Sequence, residues 1–107
     1  MKREPTLGVL LLELRFPSSR SLKEKRGPLA SLRDTVRQRF HAAFSEVGHH
    51  ETWQRAMVLI VVASSSSSQA EREVAEIERY VHSRHDFEVG RTLVRSIDDV
   101  ASIWDTQ

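Results

Sequence analysis

The chain has 107 residues, which fits one domain with a real core and leaves no room for two. It has no cysteine, so disulfides, cysteine zinc sites and a thiol nucleophile are excluded. The formal net charge of +1 hides a split: residues 1–39 carry +6 and residues 40–107 carry −5. The longest apolar run, residues 56–63, is too short to cross a bilayer, and the N-terminus lacks a signal-peptide shape. These features lead us to expect a cytoplasmic protein with no membrane partner.

Residues 6–16 alternate with a period of two. Gly8, Leu10, Leu12, Leu14 and Phe16 form an apolar set, and the opposite set turns charged at Glu13 and Arg15. That is a strand with one face on the core. Pro17, Ser18 and Ser19 end it. Ser21 with Glu24 makes a capping box. Leu22, Leu29, Leu32, Val36 and Phe40 then form a helical stripe that ends near Arg39. Gly27-Pro28 sits inside it and predicts a kink, or a short turn followed by the main helix from Pro28.

Residues 41–47 and 52–64 read as a hairpin around Gly48-His49-His50. The second of these strands is apolar on both alternating sets, so it belongs inside the sheet. A run of five serines, 64–68, leads into a second helix, with Ser68 and Glu71 as the expected capping box. Ala70, Val74, Ile77 and Val81 form its buried stripe. Residues 86–97 are the fourth strand. Residues 98–107 are a tail in which Val100, Ile103 and Trp104 offer apolar contacts to the body.

The order βαββαβ predicts an α+β, ferredoxin-like sandwich: a four-stranded antiparallel sheet, in the order 4-1-3-2, with two helices on one face. Residues 1–98 form the expected single domain and 99–107 the tail.

The string Ser21-Leu22-Lys23-Glu24-Lys25-Arg26 follows the first strand directly. With Gly8, Glu46-Val47 and the opening Trp53-Gln54-Arg55-Ala56, it resembles the YlxP-like family of small bacterial cytoplasmic proteins. The resemblance spans residues from about 6 to 98. It implies a ferredoxin-like fold with no established enzymatic activity. Genes of that family often lie beside those for translation initiation and ribosome maturation factors, which implies an RNA or ribosomal partner. Gly27-Pro28, the serine run and the acidic tail depart from the family pattern.

Arg20, Lys23, Lys25, Arg26, Arg33 and Arg37 form the candidate nucleic-acid-binding set. Arg26, Arg33 and Arg37 share one helical sector, and Lys23 extends the row. Such a row can track phosphates without reading sequence. The bland alternative is a solvated helix face. Base stacking on the sheet has no support, because the central strands bring no aromatic pair. Their aliphatic side chains, Leu7, Val9, Leu11, Met57, Leu59 and Val61, instead predict a homodimer, with the tail as the competing cover.

Catalysis has no comparable signal. No nucleophile elbow, phosphate loop or dinucleotide fingerprint is present. His82 and His85 sit at a helix end, where the dipole explains them without a metal. No cofactor is expected. The alternative to RNA binding is a small-ligand or enzymatic site around Glu46, His49, His50 and Trp53.

Overall fold

The protein is described from a computed structural model, which covers residues 4–106. Its elements run β1 (Thr6–Arg15), α1 (Leu22–Phe40), β2 (Ala43–Gly48), β3 (Arg55–Ser64), α2 (Ser67–Ser83), β4 (Glu88–Ile97) and a 3-10 helix (Val100–Thr106). The strands form one antiparallel sheet in the order β2-β3-β1-β4. This is the ferredoxin-like α+β arrangement expected from the order of the elements.

The core lies between the sheet and the two helices. β1 and β3 pair along their whole lengths, from Thr6 opposite Ser64 to Arg15 opposite Arg55. That register places Leu10, Leu12 and Leu14 beside Ile60, Val58 and Ala56 on the helix side. α1 adds Leu29, Leu32 and Val36, and α2 adds Ala70, Val74, Ile77 and Val81. Each fully buried aliphatic side chain here is worth roughly 1.5–3 kcal/mol. Gly8 allows α2 to come close to β1. A Cβ there would meet Val74 Cγ2 at 2.6 Å and Val62 Cγ2 at 2.7 Å.

Several boundaries differ from the sequence-based expectations, each for a local reason. α1 does not break at Gly27-Pro28 but runs through as one helix. Leu29, Leu32 and Val36 after the proline, and Lys25 before it, are all buried on one stripe. Packing on both sides holds a common axis despite the lost backbone donor. His41 takes a left-handed conformation (φ 54°) and caps α1, so β2 starts at Ala43, not at residue 41.

The β2–β3 connection is longer than the expected three-residue turn. The β2 register shifts between Glu46 and Gly48, His49 is left-handed (φ 61°), and β3 begins only at Arg55. The cap of α2 is Ser66, whose Oγ accepts from Gln69 N at 3.3 Å, two residues earlier than the expected Ser68–Glu71 box. β4 starts at Glu88 and carries a bulge opposite Glu13. The tail forms the 3-10 helix and leaves Trp104 79% exposed, so Trp104 does not make the sheet cover that was the alternative to a dimer.

Candidate nucleic-acid interface

α1 begins at a well-made cap. The Ser21 hydroxyl accepts from Glu24 N at 3.0 Å, and the Glu24 carboxylate accepts in return from Arg20 N. The cap thus satisfies the Glu24 N–H, one of the orphan donors of the helix start, while the Glu24 carboxylate reaches the residue just before the cap. This orients the first turn, and the 3.6-residue period then sorts the basic side chains.

Arg26, Arg33 and Arg37 come together. They line one groove between α1 and β2, with Leu29 at its base and Phe44 and Ser45 across from them. The groove has a volume of about 370 Å³. β2 is an edge strand, so its outer backbone faces this groove unpaired by any other strand of the sheet. Arg37 Nη2 already donates to Phe44 O at 3.2 Å. Arg33 Nε donates to Asp34 Oδ1 at 3.0 Å in an exposed pair. From Arg26 to Arg37 the helix rises roughly 16 Å, enough to follow several phosphates. Lys23 and Arg20 are exposed at the N-terminal end of the same helix.

Lys25 does not belong to this surface, and its assignment as a phosphate contact is corrected. It is only 3% exposed. Its Nζ donates to Glu46 Oε2 at 3.1 Å, to His49 O at 3.0 Å and to Arg55 O at 3.1 Å. An ammonium has three donors, and all three are used inside the protein. Lys25 therefore ties α1 to the β2–β3 connection. Arg39, at the far end of α1, stacks over the Phe40 and Tyr80 rings at 5.0 and 5.3 Å.

The alternative cluster is placed differently. The Glu46 carboxylate is taken by Lys25. The His50 Nε2 lies 2.9 Å from the Glu46 main-chain oxygen, and His49 gives its own carbonyl to Lys25. Trp53 is half exposed, and the nearby surface hollow is lined by Glu51, Thr52, Trp53 and Gln54. Glu46 and the imidazoles are neighbours in the chain but do not form a carboxylate–imidazole pair through their side chains. Among the described residues no three His, Asp or Glu side chains gather as a metal-ligand set.

An ionic cluster that the sequence did not reveal sits on the open side of the sheet. Glu13 is nearly buried and pairs with Arg91, while Arg55 Nη2 approaches it at 3.7 Å. The Arg91 hydrogen bond holds the Glu13 carboxyl below the usual carboxylate range. Burial opposes this, and the charges of Arg91, Arg55 and His49 add to the lowering. A second pair, Arg84 with Asp86, closes the α2–β4 corner. The Arg84 hydrogen bond lowers Asp86 in the same way.

Two comparisons bear on this chain. A family model described as "Protein of unknown function (DUF503)" matches residues 7–94. A protein of Bacillus subtilis (strain 168) described as "Uncharacterized protein YlxP" is 37% identical over 76 residues, covering 71% of this chain and 80% of that protein. Among the described residues no helix is long and apolar enough to cross a membrane.

Proposed function

The chain belongs to the DUF503 family, whose members include YlxP-like proteins, and we propose that it is a non-enzymatic cytoplasmic protein that binds RNA or a ribosomal particle through α1. The observation that carries this reading is the groove in which Arg26, Arg33 and Arg37 stand in one row beside the free edge of β2. Guanidinium groups are suited to phosphate because they stay charged and present a fixed fork of donors. Exposed Lys23 and Arg20 extend the row toward the helix start, where backbone dipoles also favour an anion. Contact of this kind reads backbone and shape, not base sequence. We also propose that the protein is a homodimer paired through the open sheet face, where Leu7, Val9, Leu11, Leu59 and Val61 are only half-buried.

The test is salt dependence. Binding to ribosomal subunits and to a structured model RNA is measured at two ionic strengths. The Arg26→Ala, Arg33→Ala, Arg37→Ala triple variant should lose affinity at low salt. The slope of log K against log salt should flatten by about 2–3, close to one per phosphate contact removed. Absence of binding by the parent protein at low salt, or an unchanged slope in the variant, defeats the proposal.

A further inference from the structure

The sheet offers bases no aromatic pair, but the helix layer does. Phe40 at the end of α1 meets Tyr80 in the last turn of α2. The ring centroids lie 5.6 Å apart at 51°. Both rings pack against the core and stay only half-buried. Arg39 lays its guanidinium over the two, 5.0 Å from the Phe40 centroid and 5.3 Å from that of Tyr80. Arg39 is itself exposed, so the plane turned away from the rings is open.

The platform is held from below. Arg84 Nη1 donates to the Tyr80 hydroxyl at 3.1 Å. Arg84 is fixed in turn by its pair with Asp86 and by Ser31 on α1, whose Oγ accepts from Nη2 at 3.1 Å. The Tyr80 ring therefore has one orientation before any ligand arrives, which lowers the cost of binding.

A groove of about 480 Å³ opens here, lined by Arg39, Phe40, Glu76, Arg79, Tyr80 and Ser83. The Ser83 hydroxyl is already used, donating to Tyr80 O at 2.6 Å. Glu76 and Arg79 are exposed and three residues apart on α2, a spacing at which opposite charges can pair. Yet among the described residues neither side chain has an ion pair or a hydrogen bond.

A cationic stacking surface, a second guanidinium without a partner and a carboxylate without a partner match the parts of one nucleotide. We propose that this groove takes an unpaired guanine nucleotide, an inference that rests on the RNA reading for the source of that nucleotide. The base stacks on the outer plane of Arg39, since guanidinium planes carry bases as aromatic rings do. Arg79 meets the phosphate. Glu76 accepts from the Watson–Crick edge, where guanine places two N–H donors side by side. Uracil has carbonyl oxygens on both sides of its single N–H, so the carboxylate repels it. Adenine and cytosine set their amine next to an acceptor nitrogen. Arg37 and Arg39 are two residues apart on α1, roughly 200° around its axis. The arginine row and this groove therefore flank the same helix end, and an RNA held along the row can place one extruded base across α1.

The test begins with a mononucleotide, so that it does not depend on the arginine row. Guanosine monophosphate is titrated into isotope-labelled protein. Amide shifts should gather at Phe40, Glu76, Arg79 and Tyr80, with a dissociation constant that is roughly millimolar for one stacked base and one phosphate contact. Arg39→Ala, at an exposed position, should weaken this binding by roughly five-fold or more, the loss expected for one stacked base. Uridine monophosphate should bind more weakly than guanosine monophosphate, and Glu76→Gln should remove most of that difference. The Arg26→Ala, Arg33→Ala, Arg37→Ala variant should bind guanosine monophosphate as the parent does. Shifts that gather along the arginine row instead, no shift at about 10 millimolar, or an equal response to both nucleotides overturns the proposal. A parent protein that shows these shifts but binds no RNA at low salt defeats the RNA reading and upholds the groove as a nucleotide site.

Discussion

Replacing Lys25 separates a structural lysine from a phosphate-binding one. Lys25→Met keeps most of the stem and removes the ammonium. Three acceptors then lose their donor: the Glu46 carboxylate, His49 O and Arg55 O. Breaking a buried ion pair by removing one partner costs about 3–5 kcal/mol. Glu46 retains 22% exposure, so water recovers part of its loss. The expected cost is therefore roughly 2–4 kcal/mol, a large share of the 5–15 kcal/mol that holds a domain of this size. In urea the midpoint should fall by roughly 1–2 M with the slope unchanged. Adding Glu46→Gln should restore part of the loss, because it removes the stranded charge. The salt dependence of RNA binding should not change at a temperature where the variant is folded. A urea midpoint within about 0.3 M of the parent, or an RNA salt slope lowered by about one, refutes the argument.

Three further outcomes follow from the packing and the ion pairs. Gly8→Ala should destabilise by roughly 1–3 kcal/mol in urea unfolding, because its Cβ has no room against Val74 and Val62. Pro28→Ala should raise the thermal midpoint by several degrees, since it restores a backbone donor inside α1 at a cost only in unfolded-chain freedom. The Glu13 carboxyl is lowered in the folded state, so the unfolded chain binds its proton more readily. Its stabilising effect is complete above the unfolded pKa of about 4.3 and disappears as pH falls through the lower folded value. The stability gap between the parent and Glu13→Gln should thus close in acid. A gap that is constant from pH 7 to pH 2 contradicts the assignment.

Much of the fold was legible because the chain repeats its periods cleanly. Gly8, Leu10, Leu12 and Leu14 keep to one face of β1, and they and Phe16 just after it are all buried. The α2 stripe of Ala70, Val74, Ile77 and Val81 is buried as its spacing requires. The errors fall where local chemistry allows more than one answer. Five consecutive serines offer several caps, and only tertiary docking selects Ser66. His41 reads as an ordinary residue until its left-handed conformation turns the chain into β2. The Glu13–Arg91 pair joins residues 78 apart, which no local pattern can connect.

Lys25 is the more instructive error. It lies three residues after Leu22 and four before Leu29, in the same sector as the buried stripe. Its spacing marked it as inward-facing, while its charge suggested a place among Lys23 and Arg26. The period won because the loop supplied acceptors: two main-chain oxygens and one carboxylate stand where the stripe meets the β2–β3 connection. A lysine on an apolar stripe is thus a sign of a polar receptor nearby, not of a surface cation.

The arginine row and the open sheet lie on opposite layers of one sandwich. The row belongs to α1, on the helix side, whereas Leu7, Val9, Leu11, Leu59 and Val61 face away from both helices. If two copies pair through the open face, both grooves are left outward, one on each side of a helix–sheet–sheet–helix stack. Facing sheets are about 10 Å apart, so the two rows would lie several layers apart on one rigid body. An RNA that reaches both would gain from the second contact without any new residue, because the first contact supplies its effective concentration. Neither surface needs the other to form. The charge asymmetry and the aliphatic strands thus fall on different layers of the sandwich, and a substitution in one can be tested without touching the other.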